Sequence, residues 1–264
     1  MADGAKSARG AKGGFKLERA RRKLEQGEPW IVEGVDVVVA RINGRAFQFV
    51  TTHDRDPIQR KWRKGLFYEP KEMEAIEAHF PEGGIFVDIG ANVGNHSLYV
   101  AAFKAPTKVI PFEPNPDAYR LLLANIAIND FQDRFDLGHL GVGLSDKPQE
   151  GLEMVFQPRN LGGSKMASTG EGDLTVVVGD EALAGVDPDM VKIDVEGMEM
   201  QVLRGLEKTI GRARPVLMLE IDDLNLEAFR AWIAPFDYET VEEVRRYQNN
   251  TNFVLVPKEK GKTT

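Results

Sequence analysis

The run Ile85-Phe86-Val87-Asp88-Ile89-Gly90-Ala91-Asn92-Val93-Gly94-Asn95-His96-Ser97-Leu98-Tyr99-Val100 is the key to this chain. Apolar residues enclose one acid, two glycines follow in a polar turn, and an apolar run comes after. That order predicts a buried strand over 85–89, a tight loop, and a helix over about 95–103. In an open α/β sheet such a turn sits at the carboxyl end of a strand, where ligands bind. Gly90 and Gly94 permit a sharp turn and close approach of a ligand, and the helix behind them has unpaired N–H groups at its start. The dinucleotide fingerprint Gly-x-Gly-x-x-Gly is broken here. Asn92 stands at the middle glycine, and Asp88 precedes the turn. A carboxylate there repels a phosphate and suits a ligand that carries an ammonium group.

Outward from this stretch, the alternation and turn signals lay out the chain. Residues 1–27 are rich in Ala, Gly, Lys and Arg and read as a basic, disordered, solvated tail in which 16–25 can form a short basic helix; a basic arm that touches an anionic substrate or membrane surface is the alternative. Residues 28–83 read as a hairpin and helical lid. Strands are expected near 31–42 and 45–51 about the Asn43-Gly44 turn, then a short helix over 57–64 and a helix opened by Pro70. Tyr68 and Glu69, just before it, are candidates to reach a cofactor. The core is expected over 84–258, with a second strand at 108–112 that ends in Glu113-Pro114-Asn115-Pro116. An acid there, about 20 residues past the first glycine, is placed to accept from ribose hydroxyls. With the acid before the turn, this points to S-adenosylmethionine, which has the ammonium group and no phosphate.

A third strand is expected over 135–144, with Ser145 and Asp146 at a corner that can meet the adenine. Strands over 152–156 and 174–178 flank a polar loop, 160–164. Met190-Val191-Lys192-Ile193-Asp194-Val195-Glu196-Gly197 is the other strong motif. Its alternation puts Lys192, Asp194 and Glu196 on one side of a strand or at its ragged end. Strands over 215–221, 238–244 and 252–256 complete the sheet, and residues 259–264 read as a disordered tail.

Composition bounds the alternatives. The 264 residues carry a net charge of −7 and no cysteine, with 42% hydrophobic and 28% charged residues. The acidic balance argues against a nucleic-acid surface. The missing cysteines exclude disulfides and a thiol nucleophile and are compatible with a cytoplasmic location. No apolar run reaches the roughly 18 residues of a membrane helix.

The Asp88 loop, Phe112-Glu113-Pro114-Asn115-Pro116 and the Lys192-to-Gly197 run together resemble the FkbM-type methyltransferases. The resemblance covers about 54–257. It implies a Rossmann-like class I methyltransferase sandwich with a seven-stranded, mostly parallel sheet, an antiparallel last strand, and S-adenosylmethionine as cofactor. Members methylate hydroxyl oxygens of sugars or polyketide-type products, so a glycan or small-molecule acceptor is expected. Carried over by position, Asp88, Gly90 and Gly94 line the methionine end, with Asn92 and Asn95 near. Glu113 holds the ribose, with Asn115 a further cofactor-binding candidate, Asp146 lies near the adenine, and Asp194 sits at the methyl-transfer centre.

Methyl transfer from a sulfonium needs mostly alignment, plus a base for the alcohol proton. Asp194 is the first candidate base, Glu196 the second, and His96 a third; Lys192 can hold the acceptor or tune both acids. A divalent cation on Asp194, Glu196 and Glu220 is not favoured. Ribose methylation of RNA by Lys192, Asp194 and Glu220, and nucleoside binding without catalysis, are the competing readings.

Overall fold

The structure is a computed structural model and describes residues 16–28, 34–52, 55–155, 165–245 and 249–259. The chain starts with α1 (Leu17–Glu25), a hairpin of β1 (Asp36–Ile42) and β2 (Arg45–Thr51), α2 (Pro57–Trp62) and α3 (Pro70–His79). The core follows as β3 (Ile85–Ile89), α4 (Asn95–Phe103), β4 (Lys108–Phe112), α5 (Pro116–Ile128), β5 (Val142–Ser145), β6 (Gln149–Val155) and β7 (Lys165–Val178). It ends with α6 (Gly179–Ala182), β8 (Met190–Ile193), α7 (Glu199–Gly205), α8 (Glu207–Ala213), β9 (Val216–Asp222), α9 (Leu226–Ile233), β10 (Tyr238–Arg245) and β11 (Asn250–Pro257).

The main sheet has the order β10-β11-β9-β8-β3-β4. β3, β4, β8 and β9 run parallel, and β11 lies antiparallel between β9 and β10. Six strands form this sheet, one fewer than the seven expected, because β5 pairs with β7 instead of with β4. Two isolated parallel bridges, Val109 to Phe135 and Glu113 to Leu140, tie the approach to β5 onto the β4 edge. The sheet is thus the expected Rossmann-like α/β architecture with an antiparallel last strand. β5 itself pairs with β7, which pairs with β6 in a three-stranded sheet.

Strand alternation divides the core into two clusters. Val87, Ile89, Val191 and Ile193 pack with Leu203, Leu206 and Phe253 on one face. Phe86 faces the other way, where Phe47, Phe49, Trp62, Ile76 and Leu122 join it. The hairpin is therefore a wall of the second cluster. Trp62 stacks on Phe49 at 5.1 Å, and Phe67 meets Phe47, Phe49 and Tyr99 edge-on. Asn125 fastens the hairpin to α5 by accepting from Val50 N and donating to Val50 O.

Four further expectations change. α1 is a docked helix and not part of a solvated tail, because Ala20 and Leu24 are buried and Arg21 donates to Leu140 O. Residues 1–15 lie outside the described residues, as does most of the expected 259–264 tail. The third strand shortens to 142–145: Asp136 closes a turn on Gly138 N, and Gly141 has φ +87°. β7 extends back from Val178 to Lys165, where a loop was expected, while the polar loop 160–164 is outside the described residues. Finally, β8 ends at Ile193, so Asp194 and Glu196 belong to a loop. Among the described residues, no helix is long and apolar enough to cross a membrane.

Candidate active site

Register carries a polar row across one face of the sheet. Asp88 lies beside Lys192, Lys192 beside Met218, and Glu220 beside Asn252. With a side-chain period of two, these positions share the face covered by α3 and α4. Lys192 is 3% exposed, with Nζ 3.6 Å from both Asp88 Oδ1 and Asp194 Oδ2. Burial disfavours its charge, but Asp194 and Asp88 outweigh that, and its pKa is raised.

The Asp88 loop crosses the end of β4. Gly90 N and Ala91 N donate to Phe112 O, and Asp194 N donates to Ile89 O. Gly90 has φ +78°, and a Cβ there would lie 1.8 Å from Asp194 O. Nothing larger than glycine fits between the two loops. Asn92, φ +52°, and Glu196, φ +54°, also adopt the left-handed region, as does Glu69, φ +60°. Such strain gathers at functional sites.

Glu113 accepts from Asn92 N and Asn115 N, each at 2.7 Å, so β4 and the glycine turn are clasped by one carboxylate. Burial pushes its pKa up to about 7, against those two hydrogen bonds. Beside it, Asn115 Nδ2 and Asn92 Oδ1 are buried without a hydrogen-bond partner among the described residues. Glu113, Asn92 and Asn115 line a narrow cleft with Ile89, Gly90, Met154, Met166 and Glu196. A second cavity of about 420 Å³ opens on the polar row, lined by Glu72, Lys192, Glu220, Arg245, Asn252 and Phe253 among others. Asp194 lines both.

Glu220 is crowded by carboxylates. Burial first, then Asp194, Glu69, Glu72 and Glu196, raise its pKa to about 9. Asn250 donates to it, and Asn252 Nδ2 donates to Glu72 Oε1 at 2.7 Å. A third group lies just behind. His96 Nε2 is 2.6 Å from Glu72 Oε2 and 3.5 Å from Glu69 Oε2. Burial works against the charged imidazole, but Glu72 and Glu69 prevail and raise its pKa.

Several candidates lie away from the two cavities. Asp88 is fully buried, holding Ser97 N and Oγ with one oxygen and facing Lys192 with the other. It lines neither cavity, so it orients Lys192 and the helix start. Asn95 is a brace: Oδ1 accepts from Trp62 Nε1 and Tyr68 N, and Nδ2 donates to Tyr68 O. Gly94 packs against Leu122. His96 is enclosed by α3, without a place in either cavity. Ser145 and Asp146 stand behind the cleft, with Asp146 paired to Arg204 at 3.4 Å; Gly143, Leu144, Met154 and Met166 form the wall there instead. The methionines and Glu72 carry no motif; strand pairing brings in the methionines, and the packing of α3 over the sheet brings in Glu72. Among the described residues, the acids and histidine whose ligand atoms lie close together are Glu69, Glu72 and His96, and not Asp194, Glu196 and Glu220, where a cation was considered and not favoured.

The strand order, glycine turn and acid after β4 define the Rossmann-like fold of the class I methyltransferases. Residues 88–255 match the methyltransferase FkbM domain, and the chain belongs to that family. It is 28% identical over 182 residues to the hexuronic acid methyltransferase AglP of Haloferax volcanii, covering 66% of this chain and 70% of that one. It is 28% identical over 167 residues to the methyltransferase sdnD of Sordaria araneosa, covering 50% of this chain and 63% of that one. The crystal structure of an FkbM methyltransferase from Methylobacillus flagellatus aligns with a TM-score of 0.46 at 19% identity, covering 66% of this chain and 44% of that one.

Proposed function

We propose that this protein is an S-adenosylmethionine-dependent O-methyltransferase acting on a hydroxyl of a sugar, a glycan or a small molecule. The observation that carries this is Asp194, the residue common to the narrow cleft beside Glu113 and the 420 Å³ cavity next to it. One side is suited to the methyl donor and the other to the acceptor. The first fits the cofactor chemically: Glu113 offers acceptor capacity, and Asn115 Nδ2 is a buried donor in want of a partner. Met154, Met166 and Leu144 add an apolar wall for the base.

S-adenosylmethionine supplies a methyl carbon on a positively charged sulfur that leaves as a neutral thioether. The chain's own residues then align and deprotonate. Asp194 faces the acceptor cavity and takes the hydroxyl proton as the oxygen bonds to the methyl carbon. Lys192, 3.6 Å away, holds Asp194 in place. Glu196 lines only the cofactor side and His96 neither, which favours Asp194 as the base. The carboxylates around the acceptor cavity disfavour a polyanion such as RNA. The hexuronic acid methyltransferase named above supports a sugar acceptor.

Titration calorimetry with S-adenosylmethionine and its demethylated product, with labelled methyl transfer onto glycan, small-molecule and RNA pools, tests the reading. Cofactor binding and label in glycans or hydroxylated small molecules are expected, with Asp194→Asn binding cofactor but losing turnover. Absence of cofactor binding overturns the reading. Binding with no transfer to any pool leaves a nucleoside sensor in its place.

A further inference from the structure

Glu69, Glu72 and His96 each turn one ligand atom to a common point, the three lying within 4.8 Å of one another. Three ligands bound about 2.1 Å from one ion in cis positions are about 3 Å apart. The observed spacings, 2.6 Å and 3.5 Å from Nε2 to the two carboxylates, bracket that value. His96 is 5% exposed, and its Nε2, close to both carboxylates, makes no well-aligned hydrogen bond to either. A buried imidazole nitrogen this close to two carboxylates has the donor set of a transition-metal site.

We propose that Glu69, Glu72 and His96 bind a divalent transition cation at the back of the acceptor cavity. Charge agrees with geometry. Glu69, Glu72, Asp88, Asp194 and Glu220 surround this part of the molecule, and Lys192 is already divided between Asp88 and Asp194. One nitrogen with two carboxylates suits Mn²⁺, Fe²⁺ or Zn²⁺ and does not suit Ca²⁺, which takes six or more oxygens. Asn252 Nδ2 on Glu72 Oε1 orients that carboxylate, the role of an outer-shell partner. Glu72 also lines the 420 Å³ cavity, which gives the ion a route in and leaves its remaining positions turned towards an acceptor. A ligand with neighbouring oxygens, such as a vicinal diol or a hydroxy acid, is the class that would complete it.

The test uses the full chain, stripped with a chelator and dialysed, without cofactor or acceptor, so its outcome is separate from that of the methyl-transfer reading. Mn²⁺ is titrated against the loss of the free-ion electron paramagnetic resonance signal, and Zn²⁺ by calorimetry. One site per chain is expected. Glu72→Gln and His96→Gln should each weaken Mn²⁺ binding by at least about tenfold. Glu74→Gln, an exposed acid on the same helix, should leave it unchanged. Circular dichroism and melting confirm that each variant folds, and Glu69→Gln serves if one does not. Binding that is only millimolar and no tighter in wild type, or equal in wild type and Glu72→Gln, overturns the proposal.

Discussion

Lys192→Met tests the polar row most directly. Asp88 is fully buried, and Lys192 Nζ at 3.6 Å is the cation facing its Oδ1. At an effective dielectric of about 20, a pair at that distance is worth about 4–5 kcal/mol before the cost of burying the lysine. Asp194 is 34% exposed on its side chain, so water screens it and it suffers less. Breaking a buried pair at one end typically costs about 3–5 kcal/mol, because the other charge is stranded. Lys192→Met should lose that much in urea unfolding at neutral pH, with an unchanged m-value. Asp88→Asn in the same chain removes the stranded charge while still offering an oxygen to Ser97, and should recover at least half of the loss. A single variant that loses under about 1 kcal/mol, or a double variant as unstable as the sum of the singles, refutes the reasoning.

Gly90→Ala places a Cβ 1.8 Å from Asp194 O at φ +78°, so the two loops must separate; a melting drop and loss of cofactor binding by calorimetry are expected. Glu113 has a folded pKa of about 7, above its ordinary 4.5, so its contribution is full at low pH and is lost as pH rises through the folded value. Ligand-free protein should therefore lose about 3 kcal/mol from this group between pH 4.5 and pH 7, and Glu113→Gln should flatten the profile of urea midpoint against pH. Leu24→Ala, on the buried face of α1, should cost about 2–3 kcal/mol in chemical unfolding; no change would mean that α1 does not dock.

Much of this was legible in sequence. Strands β3 and β4 and helix α4 have the expected bounds, and α3 opens at Pro70 as expected, because apolar periodicity, Pro70 and the glycine turn act over a few residues. Glu113 stands in the cleft for the same reason: it ends a strand beside the glycine loop. What was not legible is of another kind. Ser145 and Asp146 line neither cavity, whereas β6 and β7 bring Met154 and Met166 into the wall of the cleft through pairing between residues far apart. The segment 17–25 looked solvated because charged residues dominate it and leave only a thin apolar stripe, although Ala20 and Leu24 dock.

The sequence by itself determined the sheet, the turn and the acid after the second core strand, since each rests on local backbone preferences and the spacing of apolar residues. Tertiary structure decided what the polar residues do. Asp88 and Lys192 are 104 positions apart and meet through strand register, and Glu72 and His96 meet through the packing of α3 on α4. A periodicity states which face of an element is buried; only the folded chain states which faces meet, and therefore that Asp88 turns inward while Asp194 stands between two cavities.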